Sequence, residues 1–497
     1  MCIYFLFGIG LFIISILTRI WVRFLRRDFG IDTWYFLNYA ECFRKEKKLP
    51  AKLNHYLLDI EEQWYPPFLA FVLSLIPKWL ADRYHWLISA VIDSFQAILL
   101  YIFSIILTGR FDIAVFATLF YITSTINASM ATNLNARPLA SAVLTLLMLS
   151  LYLFSTRPNI FSFILILILG AILLHTHKMA TQQFLFFAIG LAILMQDIFY
   201  IFILFSIFLA SLLATKGFYI KILKNNFEIV KYWSRNLPYL WNHQVYESTL
   251  YKNEKKAINR KGVSGLKTHR IMFLIARVQL ILFIFIIILL WISKKNVSQV
   301  NNLSFLFYWA FINYFTVITT TYLPFFKFIG EGFKYLIYGT FPTSFLVTYA
   351  AMNLIPNIIV SYFILLILIA IDLFVQVFTL SRQMLNVNSF VDDELKEVID
   401  ILKKSKEDKV MCIPVFKAEP IAYLANKKVL WGGHGSGWDR LNEFYPLIRT
   451  PIEQLIKKYK IDFLLLDKRF VDFDDLKIGK RFNKIFEGKN YIFAKII

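Results

Sequence analysis

Residues 357–380 read NIIVSYFILLILIAIDLFVQVFTL, a run of apolar side chains broken by a single charge at Asp372. About 20 consecutive apolar residues are what a helix needs to cross the hydrocarbon of a bilayer. Working outward, comparable runs occupy 3–22, 66–81, 86–108, 111–126, 139–155, 159–174, 181–195, 197–215, 271–292, 303–320 and 335–353. They run solid rather than alternating, so they do not describe the strands of an outer-membrane barrel. Of the 497 residues 58% are hydrophobic, and the mean hydropathy is +0.58, above the ~45–50% apolar content of soluble domains. A soluble enzyme, a disordered chain and a single-pass receptor are all excluded. The pattern predicts a polytopic α-helical membrane protein with about 11–13 transmembrane helices.

Charge and cysteine narrow the class further. Lys and Arg number 54 against 33 Asp and Glu, a net charge of +21. In a membrane protein that excess reads as basic loops anchored at anionic headgroups rather than as a nucleic-acid surface. Cys2, Cys42 and Cys412 have neither metal-ligand spacing nor the pattern of a disulfide framework. The first run lacks a basic leader and a small-residue cleavage site, so it reads as a retained helix.

After Leu380 the composition changes and charge becomes dense. The sequence therefore divides into a membrane domain, 1–383, and a small soluble α/β domain, 384–497. In the latter, 391–405 and 451–459 have helical spacing, while 409–415, 428–431, 461–466 and 491–496 read as strands. Two polar stretches interrupt the membrane domain, 23–65 and 216–270, the second with twelve Lys/Arg against three Glu. The run 66–81 begins Pro66-Pro67 and contains Pro77, so it reads as a half-helix that does not cross. Eleven crossings then place 23–65, 127–138, 175–178, 216–270, 321–334 and 381–497 on one outer face.

The first polar stretch carries the chemistry. It contains Arg26-Arg27-Asp28-Phe29-Gly30-Ile31-Asp32-Thr33-Trp34-Tyr35 and ends at Gln63-Trp64-Tyr65-Pro66-Pro67. If 31–45 is helical, Asp28 lies at its start and Asp32 one turn on, so the two can face one site. Carboxylates beside a membrane surface, near arginines and aromatics, suit a general base or a metal ligand. Their alternative is a solvated interfacial helix, since the stretch is nearly neutral with eight basic and seven acidic residues.

The order of these features resembles the GT-C superfamily, polytopic glycosyltransferases that use polyprenyl-phosphate-linked sugars. Asp32-Thr33-Trp34-Tyr35 with Trp64-Tyr65-Pro66 is similar to the first external loop of oligosaccharyltransferase catalytic subunits. Pro66-Pro67 resembles the entry to the second helix of protein O-mannosyltransferases and aminoarabinose transferases. Further along, Asn133-Leu134-Asn135-Ala136-Arg137-Pro138 resembles the Arg-Pro turn of bacterial relatives. His175-Thr176-His177-Lys178-Met179 closes a hairpin where relatives carry basic residues. Trp241-Asn242-His243-Gln244 matches a His-bearing external segment, and Gly330-Glu331-Gly332-Phe333-Lys334-Tyr335 resembles a Gly-Glu-x-x-Arg-Tyr pattern. The Trp-Trp-Asp-Tyr-Gly acceptor motif of oligosaccharyltransferases is not in the sequence, which argues against Asn-linked protein glycosylation.

The resemblance implies that Asp32, with Asp28 as second choice, is the catalytic carboxylate, with a divalent metal ion as an optional companion. It implies that Arg137, Lys178 and Lys334, with Glu331 nearby, hold the carrier phosphate, and that Trp34, Tyr65 and His243 line the substrate groove. The partners implied are a polyprenyl-phosphate sugar donor, a glycan, lipid or protein acceptor, and membrane lipids. The site would lie on the non-cytoplasmic side of the plasma or inner membrane. A lipid-linked glycan flippase would instead show intramembrane charges and paired repeats, and a glycan polymerase or ligase a large late external loop. The Asp-bearing first loop favours the transferase. The Gly-rich turn Trp431–Gly437 lacks the Lys-Ser/Thr of a P-loop and reads as a flexible loop whose His434 covers substrate.

Overall fold

The computed structural model describes residues 2–24, 30, 32–48, 52–58, 62–236, 245–246, 281–291, 303–386, 391–432, 434, 437–470, 473, 476 and 482–497. Asp28 and His243 lie outside the described residues. The chain forms two compact units.

The first unit comprises Met1–Arg27, His85–Tyr219 and His269–Val387 and is helical throughout its described parts. Among the described residues four helices are long and apolar enough to cross a membrane, or six if each bent pair is one span. Ile160–Leu174, Lys178–Leu194 and Ile281–Trp291 are shorter apolar helices. Large apolar side chains such as Ile359, Phe363 and Phe374 stay exposed, as a lipid-facing surface requires. The chain is an integral membrane protein.

Polar groups inside this unit are paired, as a low-dielectric interior demands. Phe111–Thr123 and Thr125–Ala131 meet at a 56° bend, which frees the carbonyls before Ser124. Arg19 fills that gap: its guanidinium donates to the Ile122 and Tyr121 carbonyls at 3.3 and 3.5 Å and pairs with Asp93 at 2.5 Å, both side chains fully buried. Gln376 donates to the same Ile122 carbonyl at 3.1 Å. Asp93 also accepts from the Tyr121 hydroxyl at 3.0 Å.

The second unit gathers three stretches, Asp28–Tyr84, Ile220–Thr268 and Asn388–Ile497. The sequence reading had assigned 23–65 and 216–270 to the membrane domain as loops. Their described parts instead pack with the C-terminal residues, because they supply apolar side chains that those residues need. Leu58, Ile229 and Tyr232 share one core with Met411, Ile413, Trp431, Trp438 and Leu464. Tyr232 donates its hydroxyl to the Tyr445 carbonyl at 2.6 Å.

The C-terminal residues build a five-stranded sheet in the order β3-β2-β5-β7-β6. Here β2 is Lys409–Ile413, β3 Lys428–Val429, β5 Phe463–Asp467, β6 Phe482–Glu487 and β7 Tyr491–Ile496. A separate parallel pair joins β1, Val245–Tyr246, to β4, Leu447–Ile448. β3, β2 and β5 are parallel, so their carboxyl ends lie along one edge. Helices cover Asp393–Lys404, Ala418–Leu424 and Ile452–Tyr459.

The run 66–81 is not one helix. Phe68–Ser74 stops, and Lys78–Thr108 begins just past Pro77. Arg44 caps the stop: its guanidinium donates to the carbonyls of Leu73, Ile76 and Ser74 at 2.7, 2.7 and 3.3 Å, satisfying groups a helix end leaves orphaned.

Candidate active site

Asp32 is the first residue of the helix Asp32–Glu46, where the partial positive charge of the helix end favours a carboxylate. Tyr35, Phe36 and Tyr39 on this helix are buried. The Tyr35 hydroxyl donates to Gln63 Oε1 at 3.1 Å and that of Tyr39 to the Gln63 carbonyl at 3.4 Å. Trp34 is buried 6.0 Å from the Tyr423 ring, centre to centre.

The partner of Asp32 comes from the far end of the chain. His434 follows β3 by a few residues, and its Nε2 lies 3.3 Å from Asp32 Oδ1. Its Nδ1 faces Glu419 Oε1 at 3.8 Å, and Glu419, fully buried, accepts from the Tyr56 hydroxyl. The imidazole stacks on Tyr35 at 4.6 Å and 21°, and Tyr65 meets it edge-on at 5.2 Å. Burial pulls the His434 pKa down, but the Asp32 and Glu419 carboxylates more than reverse this and raise it to about 9.

Backbone geometry explains two glycines of this turn, Gly432 and Gly437. A Cβ on Gly432 would collide with the Glu419 carboxylate and come within 2.7 Å of the Tyr56 ring, so only glycine lets the turn lie on Glu419. Gly437 has φ +87, the left-handed region that glycine enters freely. Glu419 follows β2 and His434 follows β3, at the carboxyl ends of parallel strands where open α/β sheets place their ligands.

Sequence reasoning singled out Asp32, Trp34, Tyr65 and His434. It missed Glu419, Tyr56 and the Asp32–His434 pairing. Glu419 lies among Ala418, Pro420 and Ile421 with no motif around it. A Gly-rich turn bearing one histidine, directly after a buried strand, was the available signal for the pairing.

A divalent metal held by protein takes about four to eight ligands. Here Asp32 and His434 Nε2 offer two donors, Glu419 stands at the opposite ring nitrogen, and among the described residues no group of three His, Cys, Asp or Glu is arranged around a metal position.

The first unit holds a separate cationic cluster. Arg137 sits in the first turn of Ala136–Thr156, whose cap Asn135 accepts from the Arg137 amide at 2.9 Å. Arg23 steadies the turn before it by donating to the Thr132 carbonyl and the Asn133 side chain. Lys178 opens Lys178–Leu194, capped by His177 Nδ1, which accepts from the Met179 amide at 3.2 Å. His175 bonds instead to Ser211 at 2.9 Å, so the two histidines hold separate structural posts.

Gly330 to Tyr335 brings the third cation. A Cβ on Gly332 would press within 2.7 Å of Thr320 Oγ1, so the glycine allows the turn to pack on the end of Ser304–Tyr322. The Tyr335 hydroxyl donates to Gln182 at 2.8 Å, tying the turn to Lys178–Leu194. Lys334 pairs with Glu331 at 2.7 Å, and Lys178 feels the charges of Arg137, Lys334 and Glu331. Arg137, Lys178 and Lys334 are thus within electrostatic reach of one another, with Glu331 as the counter-charge to Lys334.

The chain shares its fold with solved structures that match it at low sequence identity. Among solved structures, ArnT from Cupriavidus metallidurans bound to undecaprenyl phosphate superposes with a TM-score of 0.56 at 9% identity, over 99% of this chain and 97% of its own. The archaeal oligosaccharyltransferase AglB from Archaeoglobus fulgidus, in complex with an inhibitory peptide and a dolichol-phosphate, gives 0.55 at 11% identity over 93% of this chain and 69% of its own. Its apo form gives 0.56 at 10% identity. Neither a family model nor a curated protein matches the sequence.

Proposed function

We propose that this protein is a hexosyltransferase that moves a sugar from a polyprenyl-phosphate carrier to an acceptor hydroxyl of a glycan, lipid or protein. The reading places the reaction at the non-cytoplasmic face of the cell membrane. The observation that supports it is that Arg137 and Lys178, each in the first turn of a helix, lie within electrostatic reach of each other and of Lys334, in a fold shared with proteins solved bound to undecaprenyl phosphate and to dolichol-phosphate.

In this reading Asp32 accepts the proton of the acceptor hydroxyl as its oxygen attacks the anomeric carbon. The bond from that carbon to the phosphate oxygen breaks, and the polyprenyl phosphate departs with both electrons. A single displacement inverts the anomeric centre. The departing phosphate gains charge, and preorganised cations aimed at developing charge lower the barrier most effectively. Arg137, Lys178 and Lys334 have that role, with Glu331 holding Lys334 in place. Trp34 and Tyr65 supply an aromatic wall for the sugar.

The test uses membranes containing the protein, incubated with labelled polyprenyl-phosphate hexoses. Label is expected to leave the lipid for an acceptor. Asp32→Asn, which keeps the shape and removes the base, is expected to slow this by about 100-fold or more. Intact labelled lipid crossing the bilayer, with no sugar released from any donor, would instead establish a transporter.

A further inference from the structure

Next to the cations of the first unit runs a chain of buried hydroxyl and carboxamide groups that the transfer scheme leaves without work. Arg137 stands in the first turn of Ala136–Thr156, and Ser141 lies one turn further along the same face. The Ser141 hydroxyl is 3.2 Å from the Ile337 carbonyl and 3.2 Å from Gln96 Oε1. A hydroxyl has one proton to donate. Thr145, one turn further again, donates its own to Gln96 Oε1 at 2.9 Å, which leaves the Ser141 proton for Ile337. Ile337 belongs to the short helix Gly332–Tyr338 that carries Lys334.

Lys178 stands in the same relation to that short helix. Gln182, one turn past Lys178, accepts the Tyr335 hydroxyl at 2.8 Å, as Ser141, one turn past Arg137, donates to Ile337. Gly332–Tyr338 is therefore bonded both to the Lys178 helix and to the Arg137 helix, each time one turn inward of a cation. Like charges within reach of one another repel, and Lys178 feels both Arg137 and Lys334. Keeping the three together takes a fixed backbone, and these bonds between elements supply it. Gln96 is anchored in turn: its Nε2 donates to Oδ1 of Asp93, the carboxylate paired with Arg19, at 3.4 Å. Ser141, Gln96 and Thr145 are all buried, and a satisfied polar network in a low dielectric is rigid.

We infer that Ser141 is a positioning residue for the carrier phosphate: by donating to the Ile337 carbonyl it fixes the Lys334 turn against the Arg137 helix, so that the cations are set for one phosphate before the lipid arrives. The inference rests on the reading of Arg137, Lys178 and Lys334 as the phosphate site and extends it to a hydroxyl that acts through them. Cations already in place bind without paying for their own ordering.

The experiment measures equilibrium binding of radiolabelled undecaprenyl phosphate to the full chain in lipid nanodiscs, with undecaprenol as the probe that lacks the phosphate. Ser141→Ala removes one oxygen and is expected to weaken binding of the phosphate about three- to tenfold, leaving undecaprenol unaffected. In a Lys334→Ala chain, where the spacing of the turn no longer matters, the same change should cost less than about twofold, the non-additivity of coupled residues. Thr348→Ala is the control: Thr348 is also buried, but its hydroxyl bonds only to the Ser344 carbonyl of its own helix, and binding should stay as in the wild type. In the transfer assay Ser141→Ala should raise the KM for the lipid donor and leave the KM for the acceptor unchanged.

Unchanged binding by Ser141→Ala, an equal loss in Thr348→Ala, or a full loss repeated in the Lys334→Ala background would each overturn the inference. If Ser141→Ala does not fold, Ser141→Cys, which keeps the size and replaces a strong donor by a weak one, is read in its place against the same outcomes. The reading beneath it fails differently. If Arg137→Ala, Lys178→Ala and Lys334→Ala all bind the phosphate as the wild type does, the phosphate site itself is lost, and the inference with it. Binding needs no sugar donor, so intact binding without transfer counts against the transferase reading alone.

Discussion

Arg137 and Lys178 occupy equivalent posts, each in the first turn of a capped helix, yet they bring different chemistry. Guanidinium grips a phosphate through two parallel N–H bonds, whereas ammonium acts as a point charge. Arg137→Lys is therefore expected to lose activity although the charge is kept, and Arg137→Ala to lose more. The loss of a charge-assisted contact of about 1.5–3 kcal/mol corresponds to roughly 10- to 150-fold. It should appear with every lipid-phosphate donor in the transfer assay and be independent of the acceptor. Full transfer by Arg137→Ala would make the residue a membrane anchor only. At His434 the sign of the pH effect follows from a pKa raised in the folded chain, from 6.5 to about 9. Its contribution to stability is fully present below about pH 6.5 and is lost as pH rises through 9. The thermal midpoint of the wild type should fall over that window by more than that of His434→Gln. Equal slopes would show that the ring does not titrate there.

At the scale of elements, the bend at Ser124 depends on a cation that the apolar pattern does not announce. Removing one member of a buried ion pair leaves the other uncompensated, at a cost of about 3–5 kcal/mol. Asp93→Asn keeps the shape but strands Arg19, so it should lower the thermal midpoint sharply; an unchanged midpoint would mean that the carbonyls of Tyr121 and Ile122 satisfy Arg19 without it. This case also marks where sequence reading ends. The helices of the first unit were legible because lipid demands long apolar runs, and β5 and β7 because buried strands are apolar throughout. Asp32 and Arg137 stood out as candidates because short motifs flank them. The pairings of Asp32 with His434 and of Arg19 with Asp93 were not legible, since nothing in one sequence reports which polar groups 402 or 74 positions apart will meet. The edge strand β6, largely exposed, carries too weak an apolar signal. The helical part of 216–270, Phe218–Asn236, was hidden by its charge, although Ile222, Ile229 and Tyr232 are buried along one side.

At the scale of the whole molecule, the composition of the second unit constrains how the chain threads the bilayer. Asp28–Tyr84, Ile220–Thr268 and Asn388–Ile497 form one compact body, so no membrane separates them. The chain between, 85–219, must then cross an even number of times, and so must 269–387. Taking each apolar helix or bent pair as one crossing, the first segment supplies Lys78–Thr108, the 111–131 pair, Ala136–Thr156, Ile160–Leu174, Lys178–Leu194 and Phe199–Ala214. In the second, Ile358–Ser381 is long and apolar enough to cross, and an even count follows when Ile281–Trp291, Ser304–Tyr322 and Thr340–Leu354 are each taken as a crossing too. Both sets are even. With Cys2–Ile20 counted as a single first crossing, the total is the eleven that follows from excluding 66–81. The twelve Lys/Arg of 216–270 would pull that unit inward by the positive-inside rule, but charge bias loses its hold on long loops. Asp393 offers a direct probe, its side chain 95% exposed. In a chain lacking Cys2, Cys42 and Cys412, Asp393→Cys should react with an impermeant thiol reagent on intact cells. Reaction only after lysis would put the second unit in the cytoplasm, and with it Asp32, removing the outer-face transferase reading while leaving the parity of the crossings untouched.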